Sequence, residues 1–293
     1  MMLVPVNRHI KVIENSEGKR FPYCYSVLID DRVQALVDSG FRSETADALR
    51  SRGVEVVLNT HFHLDHTLKN MELGDVKVWC HRLDAPAIRS ARVHMAMYGF
   101  YKFGAPDLAE QFMAYYLIKD GPVDRELEDG DILMFGKTHL RVIHTPGHTP
   151  GHCVFYDETD GILIGGDINL SPSGPWYSHL CSDLDDLIKS IETCAELKPA
   201  LFISAHEGLI KDNIAARFEA YRDAIDRKTD EVYKALEAPS SLDELTRKIV
   251  INKLKATNDS FYRFFERQGI LKHLDRLRKN KMIAVENGVY FQR

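Results

Sequence analysis

The amino-acid sequence predicts a layered α/β protein, and three observations support this. Short β-branched and apolar runs fill the first half of the 293-residue chain and are typical of strands in a buried sheet. Four such runs, at 54–58, 140–143, 161–164 and 201–203, each lead into a loop that carries His or Asp. From residue 213 onward the sequence is charged and has helical periodicity. Functional side chains on loops at strand ends indicate an enzyme, because the sheet holds such loops rigidly.

The first elements predicted along the chain are a hairpin, a helix and a strand. Residues 23–29 and 33–37 alternate as paired strands that turn at Asp30-Asp31. Residues 41–52 have helical spacing, and the strand at 54–58 runs directly into the first histidines. The histidines therefore begin where a buried strand ends.

The last third of the chain predicts helices followed by a hairpin. A helix over 213–236 is followed by a break and then by a second helix, for which Ser241 and Glu244 form a capping box. Residues 261–279 predict a third helix, broken near Gly269, and Asn287-Gly288 predicts a hairpin over 282–292. We therefore expect a catalytic domain over 1–212 and a small winged-helix-like domain over 213–293.

An insert over residues 82–120 has helical spacing and many Met and aromatic residues. A helical pair that packs on the core is one interpretation, and a lid or pocket wall for an apolar ligand is the other. The two interpretations are compatible. An exposed insert of this kind is also a natural interface, so an oligomer is an open alternative.

Composition excludes some classes of protein. The formal net charge is -5 with 44% hydrophobic residues, so the chain as a whole has no attraction to nucleic acid or anionic lipid. The five cysteines are scattered without a C-x-x-C pair, which favours a reducing compartment, and we expect the cytoplasm. No signal peptide and no run of about 20 apolar residues is found, so no membrane association is expected.

The chemistry is concentrated in the segment His61-Phe62-His63-Leu64-Asp65-His66. Three imidazoles and a carboxylate within six residues predict a metal site, because buried packing alone does not need such a cluster. Later loops add His148, Asp167 and His206. Such nitrogen and oxygen ligands accept zinc, iron or manganese.

These residues resemble the metallo-β-lactamase superfamily. Its H-x-H-x-D-H signature is matched in full at 61–66, and Asp38, His148, Asp167 and His206 match its other motifs in order, over about residues 1–210. The resemblance implies an α/β fold of four layers, the αββα metallo-β-lactamase sandwich, here with the helical insert and the winged-helix-like C-terminal domain.

The resemblance also implies a role for each residue and two divalent metal ions. Zinc is favoured, with iron and manganese as alternatives. The implied ligands are His61, His63 and His148 for the first ion, Asp65, His66 and His206 for the second, and Asp167 as the bridge. Asp38 would orient a ligand imidazole, and Asp65, Asp167 and Asp38 are the carboxylates expected in catalysis.

Two further loops bear on the substrate. His152 matches the family as a support rather than as a ligand. Tyr177 and His179 follow Asp167 on a Gly/Pro-rich loop that also carries Trp176, and we expect Tyr177 and His179 to bind substrate or to donate a hydrogen bond to its leaving group. A surface loop is the alternative.

The reaction expected is hydrolysis of an acyl-type bond, a thioester or lactone of a small molecule, by a hydroxide that bridges the two ions. Fold alone does not select the reaction. Nuclease or other phosphodiester hydrolysis is the first alternative, because basic and aromatic residues of the C-terminal domain are suited to nucleic acid. A mononuclear iron persulfide dioxygenase is the second.

Overall fold

The computed structural model describes residues 2–14, 20–248, 251 and 260–293. Its first sheet has seven strands in sequence order, antiparallel from the first to the fourth and parallel from the fourth to the seventh. The strands are β1 (Met2–Pro5), β2 (Ile10–Glu14), β3 (Ser26–Asp30), β4 (Gln34–Val37), β5 (Val56–Asn59), β6 (Lys77–His81) and β7 (Arg125–Leu127).

The second sheet has six strands in the order β13-β12-β11-β10-β9-β8. All neighbours are antiparallel except β11 and β12, which are parallel. The strands are β8 (Ile132–Met134), β9 (His139–His144), β10 (Cys153–Asp157), β11 (Ile162–Ile164), β12 (Leu201–Ser204) and β13 (Gly208–Ile210).

Helices cover the outer faces of both sheets and form the insert and the C-terminal part. They are α1 (Ser43–Ser51), α2 (Leu64–Thr67), α3 (Ala85–Arg89), α4 (Ala91–Tyr98), α5 (Pro106–Tyr116), α6 (Leu184–Glu196), α7 (Ile214–Lys234), α8 (Leu242–Lys248) and α9 (Ser260–Lys279). A small third sheet contains β14 (Ser240–Ser241), β15 (Ile283–Glu286) and β16 (Val289–Gln292).

The alternation of side chains along each strand produces the layers. In β3, Val27 and Ile29 pack in the core between the two sheets, whereas Leu28 packs in the outer core with α1. In β10, Phe155 faces the inner core and Val154 the outer core that α6, α7 and α9 share. A period of two places alternate residues on opposite faces of a sheet. The predicted four-layer αββα sandwich is therefore confirmed.

The C-terminal part contains the predicted helices and hairpin. The capping box is formed, since Ser241 N–H donates to Glu244 Oε2 at 2.7 Å and Glu244 N–H donates to Ser241 Oγ at 3.3 Å. Asn287 and Gly288 have φ of 50° and 77°, as the tight turn requires. The winged-helix description and the boundary at residue 212 stay predictions, and the outer core is continuous from α6 to α9.

The predicted break near Gly269 is wrong, because α9 runs through it without interruption. A Cβ at this position would lie 2.7 Å from Ser178 Oγ and 3.1 Å from Ile251 Cγ2. The glycine therefore allows close packing of α9 against its neighbours and does not end the helix.

The insert contains three helices, α3 to α5, whose apolar residues pack with Phe62 of the histidine motif and with Phe265 of α9. Across the part of the chain that the structure describes, no helix is both long and apolar enough to pass through a membrane.

Candidate metal centre

The seven predicted ligands meet at one end of the two sheets. His61 and His63 follow β5, and α2 carries Asp65 and His66 directly after them. The remaining three follow strands of the second sheet: His148 after β9, Asp167 after β11 and His206 after β12. The loops at strand ends that the sequence predicted thus converge on a single point.

The first ligand set consists of His61, His63 and His148. His148 Nε2 lies 3.1 Å from His61 Nε2 and 2.9 Å from His63 Nδ1. Two nitrogens that bind one zinc ion tetrahedrally at about 2.0–2.1 Å lie about 3.3 Å apart. The three nitrogens therefore have the spacing of ligands to a common ion.

The second ligand set consists of Asp65, His66 and His206. Asp65 Oδ2 lies 3.7 Å from His66 Nε2 and 3.4 Å from His206 Nε2. The carboxylate of Asp167 is shared between the sets. Its Oδ1 lies 3.2 Å from His66 Nε2 and 3.1 Å from His206 Nε2, while its Oδ2 lies 3.3 Å from His148 Nε2.

Hydrogen bonds at the outer ring nitrogens fix the tautomers of three of the candidate ligand histidines, His61, His66 and His148. His148 Nδ1 donates to the carbonyl oxygen of Trp176 at 2.8 Å, and His66 Nδ1 donates to Asp38 Oδ2 at 2.7 Å. Thr60 Oγ1 donates to Asp38 Oδ2, so it accepts from His61 Nδ1 at 3.0 Å. In its neutral form each of these three rings presents an Nε2 lone pair to the cluster.

These lone pairs fit a cation. His61 Nε2 and His148 Nε2 are both acceptors, and their approach to 3.1 Å is repulsive unless a positive charge lies between them. Asp167 Oδ1 lies 3.2 Å from His66 Nε2 and 3.1 Å from His206 Nε2, so a carboxylate oxygen and two more imidazoles converge beside the first three nitrogens. A buried set of nitrogen and oxygen donors at these distances is suited to a divalent metal.

The two sets differ in protonation. Burial lowers the pKa of His61 and of His63 well below its usual value, and the neighbouring histidines add to this effect. Burial also opposes protonation of His206, but the Asp167 and Asp65 carboxylates outweigh it and raise its pKa to about 10. The carboxylates of Asp38 and Asp167 likewise raise the pKa of His66 well above its usual value.

Asp38 supports the second set from a strained backbone position. Its φ of 58° lies in the left-handed region, where non-glycine residues are uncommon and often functional. Its carboxylate accepts from Thr60 N–H at 2.8 Å as well as from His66. The neighbouring Gly40 has no space for a side chain, since a Cβ would lie 1.9 Å from the carbonyl oxygen of Asp65.

Asp84 supports the first set and was missed from the sequence. It is buried and accepts from Phe62 N–H at 3.0 Å, Gly151 N–H at 2.6 Å and Thr149 Oγ1 at 2.7 Å. Burial raises its pKa to about 6, although the three donors oppose this. It therefore ties the loop of His61 and His63 to the loop of His148. Its position shortly after β6 repeats the strand-then-acid pattern and was the available signal.

Cys24 is a second residue that sequence reasoning missed. Its Sγ lies within 4.8 Å of ligand atoms of Asp38 and His66. Burial raises the pKa of this thiol well above its usual value. No spacing signal marks Cys24, because the hairpin alone brings it next to Asp38.

His152 lies beside the ligands as a support. Its Nε2 accepts from Asp167 N–H at 3.1 Å, and its Nδ1 contacts Thr145 Oγ1 at 2.8 Å. Both ring nitrogens thus have protein partners, and the ring helps to fix the loop that carries Asp167.

The structure separates the two predicted substrate residues. His179 lines a cavity above the ligands, stacks on Tyr98 at 4.2 Å and lies 4.4 Å from the His63 ring. Tyr177 does not line this cavity: it is fully buried, and its hydroxyl donates to His273 Nε2 at 2.7 Å. The prediction for Tyr177 is corrected, because the loop alternates and directs its side chain into the core.

The cavity has a volume of about 1330 Å³ and opens directly onto the ligands, with His63, Asp65, Asp167 and His206 in its floor. Its roof comes from the insert and from α9, including Tyr98, Phe112, Phe261 and Phe265. A concave, mostly apolar pocket with a few convergent polar groups is typical of a small-molecule site.

A four-layer sandwich with this ligand pattern defines a class of metalloprotein, and residues 20–206 match the metallo-beta-lactamase superfamily profile. The chain belongs to this superfamily. A solved metallo-beta-lactamase family protein from Thermus thermophilus has a TM-score of 0.79 at 23% identity, covering 99% of this chain and 100% of that one. This likeness establishes the fold along the chain.

Two further comparisons bear on chemistry. The chain is 25% identical to hydroxyacylglutathione hydrolase GloC of Haemophilus influenzae, over 58% of this chain and 77% of that protein. It is 27% identical to a protein solved in a di-iron-bound form, with a TM-score of 0.52 over 68% of this chain and 96% of that one. The predicted membership of the superfamily is confirmed, and the His/Asp cluster of this chain fits the divalent metal site of a metallo-hydrolase superfamily.

Proposed function

We propose that this protein is a binuclear metal-dependent hydrolase that cleaves an acyl-type bond, a thioester or lactone, of a small molecule. The observation that carries the proposal is the position of the Asp167 carboxylate between the two ligand sets, with one oxygen facing each set. When bound, two divalent ions in such sites lower the pKa of water and polarise a carbonyl. Zinc is the favoured metal, and iron or manganese would accept the same ligands.

The residues of the chain have separate tasks in this proposal. Asp38, Thr60 and the Trp176 carbonyl hold the ligand imidazoles in one tautomer, so that no reorganisation is needed at the moment of reaction. His179 accepts from Trp176 Nε1 at its own Nε2, at 3.4 Å, and therefore carries its proton on Nδ1. That Nδ1 is buried and has no partner among the described residues, so we assign His179 to the wall of the cavity and not to proton donation.

An acyl substrate is favoured over nucleic acid by the charges of the C-terminal part. Arg276 pairs with Asp226 at 2.7 Å, Lys279 lies 3.3 Å from Asp183, and Lys272 donates to carbonyl oxygens at 2.6 and 2.8 Å. These basic groups are used internally and are not arranged for a phosphate backbone. The similarity to a hydroxyacylglutathione hydrolase supports the acyl assignment. We also propose that residues 1–212 form the catalytic domain.

The test combines metal analysis with a substrate panel. Purified protein, loaded with zinc, manganese or iron, is assayed with thioesters, lactones and single-stranded RNA. We expect about two equivalents of metal per chain, hydrolysis of a thioester or lactone, and none of RNA. His61→Ala should abolish turnover while circular dichroism is unchanged. A single iron with oxygen consumption would contradict the proposal in favour of a dioxygenase, and RNA cleavage would contradict it in favour of a nuclease.

A further inference from the structure

We propose that the acyl group of the substrate carries an aromatic ring, which binds in an aromatic chamber between the insert and α9. The chamber is the part of the cavity wall formed by Tyr98, Phe112, Trp176, Phe261 and Phe265. This inference rests on the proposed acyl hydrolysis and adds the chemical class of the acyl group.

The chamber begins at the ligands themselves. The His63 ring lies 5.2 Å from Tyr98 in an edge contact, and His179 bridges Tyr98 and Phe265, at 4.2 and 5.3 Å. A substituent on a carbonyl held over the ligand sets therefore meets rings within one side-chain length. Offset and edge-to-face contacts at such distances are the preferred geometries of aromatic pairs.

The rings are supported from behind and are thus preformed. Phe112 stacks on Phe261 at 5.1 Å, and Trp176 lies 5.8 Å from Phe265. Phe265 and Phe112 are only 8% and 5% exposed, so neither side chain is free to fill the cavity. A rigid pocket binds a flat apolar group without having to order its own walls.

Charge is absent from this side of the cavity. Among the described residues, none of the lining side chains from the insert or α9 is Asp, Glu, Lys or Arg. Polar lining groups of the insert and α9, such as Gln111 and Tyr262, lie outside the chamber, and within it Trp176 Nε1 already donates to His179. A short hydroxyacyl or carboxylated acyl group in the chamber would therefore lose hydration without meeting a charged partner. The charged lining residues, including Glu207 and Lys228, belong to other parts of the wall. The chamber therefore selects for an apolar ring, and a volume of about 1330 Å³ leaves room for one.

The kinetic test uses N-acetylcysteamine thioesters that differ only in the acyl group: acetyl, lactoyl, cyclohexylacetyl and phenylacetyl. We expect kcat/KM for phenylacetyl to exceed that for acetyl and lactoyl by about tenfold or more, which is the range of hydrophobic-pocket discrimination. Phe265→Leu and Phe112→Leu should each reduce this ratio about fivefold or more. Equal or better turnover of acetyl or lactoyl would overturn the inference.

The matched control is Phe264→Leu. Phe264 neighbours Phe265 on α9 but stacks on Phe100 at 4.6 Å and does not line the cavity. We expect it to change the phenylacetyl to acetyl ratio by less than about twofold. An equal loss in Phe264→Leu and Phe265→Leu would show a general effect on α9 and would count against the chamber.

A binding measurement separates this inference from the proposed function. The probes are the phenacyl and acetonyl thioethers of N-acetylcysteamine, which are ketones that cannot be hydrolysed. Trp176 reports binding by fluorescence in Trp79→Phe, because the chain has two tryptophans. Tighter binding of the phenacyl probe supports the chamber even if no thioester is cleaved, in which case only the proposed function fails. Equal affinities would overturn the chamber, whatever the activity.

Discussion

The two ligand sets lie side by side but have different surroundings. The first set contains only imidazoles, and its outer nitrogens bond neutral groups such as Thr60 Oγ1 and the Trp176 carbonyl. The second set is rich in carboxylates, with Asp65 as a ligand and Asp38 behind His66. If each set binds an ion as proposed, the neutral and the anionic set should respond differently in metal affinity to mutation and to pH.

The largest loss of metal binding and turnover is expected from Asp167→Ala, because this residue contacts both ligand sets. Because the two carboxylate oxygens face different sets, its loss should remove at least one of the two expected ions. Loss of a residue that supports a ligand lowers activity about 10–100-fold, and we expect turnover to fall further than that here. Metal analysis and steady-state kinetics measure this. Two retained ions and turnover within tenfold of wild type would remove Asp167 from the bridge.

Two matched variants, Asp38→Asn and Asp84→Asn, should each weaken metal binding by one ligand set. Asp38 contacts His66, whereas Asp84 ties together the loops of His61 and His148. Each change is isosteric, and Asn also tolerates the positive φ of Asp38. We expect about 10–100-fold weaker binding of one ion in each variant, of the second set in Asp38→Asn and of the first in Asp84→Asn.

Competition titrations with a chelator, combined with spectra of cobalt-substituted protein, would assign the weakened ion. The same ion weakened in both variants would show that the two supports are not separate.

The pH dependence of metal uptake should also divide the sets. In metal-free protein the pKa of His206 is raised to about 10, so the ring is protonated at neutral pH and must lose its proton to bind. The pKa of His66 is raised as well, so a second proton must leave, and uptake by the second set should strengthen by up to about a hundredfold per pH unit from pH 6 to 9. The pKa values of His61 and His63 are lowered, so these rings are already neutral above pH 6.5 and uptake by the first set should be flat.

Metal titrations at pH 6, 7 and 8 should show one class of site whose metal affinity changes with pH and one whose affinity is constant. If the affinities of both classes change in parallel, the protonation states assigned to the two sets are wrong.

The smallest effect is expected from Tyr177→Phe, which tests a remote support of the first set. The Tyr177 hydroxyl donates to His273, and the adjacent Trp176 carbonyl accepts from His148. Removing the hydroxyl leaves His273 Nε2 buried without a donor and should lower the free energy of unfolding by about 1–3 kcal/mol. Urea denaturation measures this, with the exposed Tyr115→Phe as control, expected within about 0.5 kcal/mol. A change in metal binding by the second set would contradict the proposal that Tyr177 supports His148 through the Trp176 carbonyl.

Sequence reasoning identified the floor of the cavity and gave the insert as a possible pocket wall, but it did not predict that α9 completes the roof. The signature at 61–66 is local, and strands that end in His or Asp bring the other ligands to the same sheet end. Asp84 follows β6 in the same strand-then-acid pattern but was overlooked, whereas the contacts of Cys24 are not encoded in any spacing. The roof depends on Phe265 of α9 meeting Tyr98 of the insert, more than 160 residues apart in the chain, which periodicity does not predict.

The two corrected expectations have the same origin. The loop around Tyr177 predicts a pocket residue, and only the packing of α9 shows that its hydroxyl belongs to His273. Gly269 predicts a helix break, and only the nearby Ser178 and Ile251 show why the helix needs a glycine there. A local sequence pattern indicates which conformation a segment prefers, and tertiary contacts determine which conformation the folded protein adopts.

Helix α9 has consequences for anyone who wishes to redesign this protein. One stretch of it, at Phe261 and Phe265, faces the cavity, and His273, two turns further on, holds the loop that orients His148. Exchanging the whole helix for that of a relative would therefore alter selectivity and disturb the metal centre together. A library confined to the first turns of α9, with residues 268–279 kept unchanged, would vary substrate range while retaining the catalytic geometry.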